Sequence, residues 1–491
     1  MDSSLYAFAE DLRDEGFARV LACGTAGVAV AAAYHRARDV TPHGRTRVTL
    51  RHDGVHFPLG DAFDGLRLRP PVQDGASARP LRAARAAADA AGARLHGWGV
   101  FLHNTTIGLA HPDVTQENCF GDRGAPADLC PSHPDVRAYA VALARSIARL
   151  GVDSVVAESL HFGTFGHGYH HERSFVELGE AAEFALGLCF CPHCLKRSTN
   201  GAAARATAAQ LVEAVLNGDP PTTAMPNTLP NNVRSEPPRA GMPADAALPD
   251  ASPPDGMQSD GALPGGARSD VALQRDARSG GTQLDGARSS GMPPSGARSG
   301  MAALPGGGPP EGVPGGVRSG GARPTAVLPD VLLEYARERI ATVTSLAAEV
   351  AAAVAAEGSR LTFLDLTGAV KGYADGRPGG GPAAADAWRI GVDPAALARV
   401  VPSYAALCYA RDAERVALDV AAYRAALGPD VELRTVLRPG FPDTDSAEHL
   451  AAKASAARGA GTDAVDFYCY GLAPRPALER IAGAVRAAGQ L

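Results

Sequence analysis

The sequence has no strong excess of charge, no evenly spaced cysteine framework and no recognisable nucleotide-binding loop, and each shortage removes a class of function. A formal net charge of −6 over 491 residues leaves no basic footprint for nucleic acid or for an anionic membrane surface. Neither partner is expected. The apolar run from Val20 to Ala33 is shorter than the roughly 20 residues a helix needs to cross a bilayer. Acidic residues stand in "MDSSLYAFAEDLRDEGFARVL" where a secretory signal would be positive, so a cytoplasmic setting is expected. Cys23, Cys119, Cys130, Cys408 and Cys469 are scattered, and a chain of this length builds its core without disulfide staples, which favours reduced thiols. GxGxxG, the P-loop, GxSxG and HExxH are all missing, so dinucleotide grips, serine-nucleophile elbows and zincin-type helices have no candidate. Nothing in the sequence sets an oligomeric state.

What is present divides the chain in three. Residues 1–200 hold an N-terminal helical stretch, early βα units and thirteen of the fourteen histidines. Residues 201–329 turn abruptly to Pro, Gly, Ser, Ala and Met, with arginines recurring at Arg268, Arg278, Arg288 and Arg298. Such units lack the apolar residues a solenoid buries between neighbours, so a disordered low-complexity insert is expected. Its ends can close on one another at small entropic cost, which lets it interrupt a single domain. Residues 330–491 resume the earlier rhythm.

That rhythm is strand then helix. "VAVAAAYH", "LHGWGVFLH" and "VDSVVAES" before the insert, and "LTFLDL", "YAALCYA", "VELRTVL" and "AVDFYCYG" after it, read as short buried strands. Alanine-rich helical patterns separate them, several ending at Gly. Seven visible units over the ordered length predict an α/β fold, a closed (β/α)8 TIM-type barrel interrupted by the insert. A doubly wound open sheet is the alternative. No eighth strand stands out. "RVTLRHDGVHFPLG" (47–60), with Asp-Gly at its centre, reads as a β-hairpin inserted in the first loop.

"CFCPHC" concentrates three of the eight cysteines, Cys189, Cys191 and Cys194, in six residues. A CxCxxC turn offers three thiolates to a tetrahedral zinc, and a fourth must come from elsewhere. Cys130, which opens a helix in "DLCPSHPDVRAYAVAL", is the leading candidate, with Cys119 as substitute. Simple packing of three buried thiols and a redox pair are the competing readings.

The order "LCPSHPDVRAYAVAL", a strand ending in Glu158, then "CFCPHC" is similar to the β-galactosidases of glycoside hydrolase family 42. The chain also resembles uncharacterised bacterial glycosidase-like barrels with "YH" after an early strand and an "HGYHHE"-type loop. The resemblance covers about residues 25–200. It implies that Cys130, Cys189, Cys191 and Cys194 hold a structural zinc and that Glu158 is the general acid/base. Two departures stand against it: Ala157 replaces the family's Asn, and the late strand "VELRTVLRPGFPDTD" lacks the family's glutamate nucleophile. Asp443 and Asp445 on the following loop are then the remaining carboxylates, and Asp443 is taken as the second catalytic group.

Barrel enzymes collect their chemistry where strands end. Tyr34 and His35 end one strand, His103 and Asn104 the next, Glu158 a third, with His161, His167, His170 and Glu172 on the loop beyond. Aromatic faces beside imidazoles, an amide and carboxylates suit a small-molecule carbohydrate or glycoside, and those eight polar and aromatic neighbours are taken as substrate-binding. Glycoside hydrolysis needs one carboxyl kept protonated by burial, and Glu158 after "VDSVVA" is placed for it. Two alternatives remain, a non-catalytic saccharide-binding barrel and a metal-dependent hydrolase or lyase built on the HGYHHE loop. A catalytic metal is not expected. Arg438 and Arg475 on strand-end loops could hold an anionic group or simply face solvent.

Overall fold

The computed structural model describes the chain apart from residues 14, 45, 74–76, 78, 167–173, 222–224, 227–327, 373–375 and 491. His167, His170 and Glu172, and most of the expected insert, therefore lie outside the described residues. One boundary moves. Gly201–Leu216, which composition placed inside the insert, is a helix with Ala204, Ala208, Val212 and Val215 buried at helical spacing. A stripe of that kind needs only small apolar residues to pack, so low complexity alone did not preclude it.

Among the described residues eleven strands are defined, in chain order β1 (Ser4–Ala7), β2 (Gly27–Tyr34), β3 (Ala37–Val40), β4 (Val48–Arg51), β5 (Gly54–Val55), β6 (Arg94–Val100), β7 (Ser154–Glu158), β8 (Arg360–Asp365), β9 (Ser403–Leu407), β10 (Glu432–Leu437) and β11 (Ala464–Phe467). Eight of them, β1, β2 and β6–β11, pair in parallel with their neighbours in sequence order, and β1 also pairs with β11. The barrel closes, as expected. All seven strands read from the sequence are in it.

The eighth is β1, within the stretch read as helical. Leu5 pairs with both Val28 and Phe467, and the four residues of β1 are fully buried. Only after it does the chain turn helical, first as a 3-10 turn at Ala9–Leu12 and then as an α-helix at Gly16–Leu21. The expected hairpin also forms differently: β4 pairs antiparallel with β3 upstream, not across Asp53-Gly54. Asp53 is buried and accepts hydrogen bonds from the backbone N–H groups of Arg36 and Thr106 and from the Thr106 hydroxyl. Gly54–Val55 then adds antiparallel to the end of β2.

Side-chain parity along the strands decides what reaches the barrel interior. On β6, Trp98 points inward while Gly97 and Gly99 face outward, where a Cβ at either would sit 2.4 and 2.8 Å from Ile147 of the helix Pro134–Ala148. Glycine there lets the helix close on the sheet. The inner layer sets Tyr6, Phe8, Tyr34 and Trp98 against small residues, Ala29, Ala31 and Ala405. Nearer the N-terminal ends the interior is polar, with His96 bonded to Ser154 at 2.7 Å and Arg434 paired with Asp466 at 2.8 and 2.7 Å.

Among the described residues, Asp330–Ala356 is long and apolar enough to cross a membrane. It lies between β7 and β8 in the chain and packs on the helix Pro134–Ala148, with Leu332, Val343, Val350 and Val354 buried.

Candidate active site

Parity along β7 turns Ser154, Val156 and Glu158 to the same side as Trp98, so Glu158 caps the inner layer at the C-terminal mouth. Its Oε2 accepts a hydrogen bond from Trp98 Nε1 at 2.6 Å. Burial among rings pushes the Glu158 carboxyl up to about 7, against the opposing pull of the Trp98 N–H and of His103. The next residue, Ser159, has φ of 56°, a left-handed conformation that a side chain other than Gly adopts at some cost. That turn ends the strand immediately after the carboxylate.

Around Glu158 the mouth is largely aromatic. The Tyr34 and Tyr468 hydroxyls are 3.1 Å apart, and Trp98 meets Tyr6, Tyr34 and Tyr468 edge-to-face at ring distances of 5.3, 4.9 and 5.7 Å. Edge-to-face packing of this kind fixes ring orientation as well as filling space. His35 stacks on Tyr34 at 4.5 Å and meets His103 edge-on at 5.2 Å.

His103 is bonded through Nδ1 to Asp128 at 3.1 Å. Burial lowers its pKa, but the Asp128 hydrogen bond and charge outweigh that and hold it above the ordinary histidine value. Asp128 approaches closely because Gly163 stands behind it, where a Cβ would lie 2.1 Å from the carboxylate. The pair arises from two separate loops, and only His103 was legible as a strand-end residue.

The structure thus gathers Tyr34, His35, His103 and Glu158 at one mouth. Two other expected substrate contacts are used differently. Asn104 is buried and caps the helix Thr105–Ala110, its side-chain oxygen accepting from Ile107 N at 2.9 Å. His161 is buried, with Nδ1 2.7 Å from the Phe162 carbonyl oxygen. Asn104 follows its strand and His161 lies on the loop beyond β7, as expected, and the contacts just given are to their own loops.

Asp443 is likewise engaged. Its side chain is fully buried, and its two oxygens meet Arg438 Nε and an Arg438 terminal nitrogen at 2.8 and 2.5 Å. Arg438 lies over the Tyr409 ring at 4.5 Å, and it shares the inward parity of Arg434 and Val436 on β10. Asp443 therefore clamps a cation at the mouth, which differs from the open carboxylate expected of a second catalytic group. Asp445 pairs with Arg411. Sequence reading passed over Trp98, Tyr409 and Tyr468, although counting alternate residues from the buried strands points each of them inward.

Beside this mouth, Cys130, Cys189, Cys191 and Cys194 bring their sulfurs within 4.8 Å of one another, all buried. Cys130 Sγ is 3.6, 3.4 and 3.7 Å from those of Cys191, Cys194 and Cys189. A tetrahedral ion with metal–sulfur bonds of about 2.3 Å spans edges of about 3.8 Å, so the donor set fits. Cys119, the alternative fourth ligand, is buried in a separate apolar cluster with Leu178 and Phe190. The Glu117 N–H points to Cys189 Sγ at 3.4 Å, and Tyr335 donates its hydroxyl to the Cys189 carbonyl at 2.5 Å. With four sulfurs closing the coordination shell, an ion here has no open position for substrate.

Fold and mouth together define a closed (β/α)8 barrel with an inward, partly buried carboxylic acid at its C-terminal face. No family profile and no curated protein matches the chain. Among solved structures it is similar to α-L-fucosidase isoenzyme 2 from Paenibacillus thiaminolyticus, at 9% identity and a TM-score of 0.46, covering 99% of this chain and 49% of that one. A β-galactosidase from the psychrophilic Marinomonas ef1 gives 9% and 0.46, covering 99% of this chain and 59% of that one. The catalytic domain of β-amylase from Paenibacillus polymyxa gives 9% and 0.45, covering 99% and 98%. This chain thus spans about half the length of the fucosidase.

Proposed function

We propose that the chain is a glycosidase-like barrel acting on a carbohydrate or glycoside, with Glu158 as the proton donor. The observation that carries this reading is the position of Glu158, inward at a strand end and walled by aromatic rings, an environment that pushes its pKa up to about 7. A carboxyl in that state can give its proton to a glycosidic oxygen as the bond breaks, and once ionised it can take one from water. The partly buried Tyr409 and Tyr468 stand at the mouth where a sugar would lie, and the His103–Asp128 pair, whose imidazole Asp128 holds above the ordinary histidine value, adds a polar group at the same mouth. The four-cysteine cluster is assigned a structural zinc that holds the loop after β7. Its role is to brace the mouth.

The test is Glu158→Gln against a panel of aryl glycosides. Loss of a positioned acid is expected to lower kcat/KM by about 10²–10⁴-fold. The loss shrinks when the leaving group is a nitrophenol acidic enough to depart unprotonated. Turnover equal to wild type on poor leaving groups sinks the assignment.

A second reading is favoured by one specific feature. The Asp443 carboxylate, expected as the second catalytic group, is committed to Arg438, which itself lies over Tyr409. Two-carboxylate hydrolysis needs an accessible partner. A barrel that binds saccharide without cleaving it fits that pairing, and it predicts sugar binding with no turnover across the whole panel. The metal-dependent reading rested on His167, His170 and Glu172, which lie outside the described residues.

A further inference from the structure

A cavity of about 890 Å3 opens between the loops after β6 and β7. His103 and Asp128 are among its lining, and the His103 ring meets His35 of the mouth edge-on at 5.2 Å, which puts the cavity next to the mouth. Its walls come from the loops after β6 and β7, and they carry Leu109, Phe165 and Val176, large apolar side chains that are 60%, 49% and 38% exposed. Leu186 continues the same wall toward the four-cysteine cluster. A soluble surface leaves single apolar residues in water routinely, but several large ones lining one concave channel mark a binding surface.

The mouth beside the cavity holds the hydroxyls, imidazoles and Glu158, whereas the cavity lining adds the large apolar side chains, with Arg36 and the acidic Asp122, Glu177, Glu180 and Glu183 also among it. A ligand reaching from the mouth into this channel therefore has a hydroxyl-rich end at Glu158 and an apolar, uncharged or non-anionic body beyond it. A free oligosaccharide would leave Leu109, Phe165 and Val176 without apolar contact.

We infer that the channel takes the apolar aglycone of a glycoside whose sugar occupies the Glu158 mouth. The inference rests on the proposed carbohydrate reading and narrows it to glycosides of hydrophobic alcohols. Leu109 and Val176 are then specificity-determining residues. They touch the aglycone and not the reacting atoms.

The test measures binding apart from turnover. Calorimetry on the Glu158→Gln protein compares methyl with octyl β-D-galactoside, and methyl with octyl β-D-glucoside, the octyl compounds kept below their micelle concentrations. Because each buried methylene strengthens binding several-fold, octyl is expected to bind at least about tenfold tighter than methyl for one of the sugars. Leu109→Asp and Val176→Asp, both on exposed side chains whose change leaves the core intact, are each expected to cut that octyl-to-methyl ratio by at least about fivefold. A 7-carboxyheptyl glycoside is expected to lose most of the octyl advantage. Equal affinity for methyl and octyl, no binding of either, or a ratio unmoved by both substitutions would overturn the inference. Wild-type turnover unaffected by Glu158→Gln would instead overturn the catalytic reading, with octyl preference left standing.

Discussion

Trp98 donates its indole N–H to Glu158 across 2.6 Å, from the strand next to the one that carries the carboxylate. The hydrogen bond is one of the forces that limit how far burial raises the acid. Trp98→Phe keeps a ring in place and removes the donor. The Glu158 pKa is expected to rise above about 7, moving the alkaline limb of the kcat/KM profile to higher pH. A profile with the wild-type limb would show that the indole only fills space.

Stability should carry the mark of the same group. Glu158 holds its proton more tightly folded, near pH 7, than unfolded, near the ordinary 4.5. Its contribution is therefore complete below about 4.5 and is lost as pH rises through 7, where the folded state must ionise a buried acid. Glu158→Gln removes that dependence. Urea unfolding is expected to show the variant gaining on wild type by on the order of 1–3 kcal/mol between pH 5 and pH 8.5. A constant difference across that range argues against the shifted acid.

Metal analysis separates the thiols. Wild type is expected to bind one zinc per chain, Cys130→Ser and Cys191→Ser to lose it, and Cys119→Ser to keep it. Removing a ligand from a closed site should lower the unfolding free energy by about 2–5 kcal/mol. Retention of zinc by Cys130→Ser would break the assignment of that residue.

Asp443 and Arg438 can be told apart from a catalytic pair by a double substitution. Asp443→Asn leaves the guanidinium half-satisfied at the mouth and is expected to cost about 2–4 kcal/mol in chemical denaturation. Replacing both, Arg438→Met with Asp443→Leu, is expected to recover most of that loss, because the penalty belongs to the uncompensated charge. If Asp443→Asn leaves stability intact and abolishes turnover alone, the carboxylate is chemical after all.

Seven of the eight barrel strands were legible because each alternates or runs apolar over at least four residues between helical patterns. β1 was not, since "SLYA" has too little length for a period, and it becomes a strand only through partners near residues 28 and 467. The Asp-Gly pair at 53–54 signalled a turn, whereas Asp53 is a buried acceptor for three donors. Glu158 could be found because a carboxylate at the end of "VDSVVAE" is out of place in a buried strand. Asp128 could not, because it reaches His103 from a loop with no pattern of its own. Asn104 was read as a substrate contact from its place after a strand, and the same residue opening a helix is also a good cap, the use its side-chain oxygen has here.

The closure of the ring carries a kinetic consequence. Ser4 reaches Asp466 across 462 positions of sequence, so β1 waits for β11, the last of the described strands to be made, before its second edge is covered. Until then β1 exposes one unpaired side, and assembly of the last seam is governed by how quickly two distant ends of the polymer meet. A circular permutant that joins residue 491 to residue 1 through a short linker and opens the chain within 227–327 would make that contact local and should refold faster.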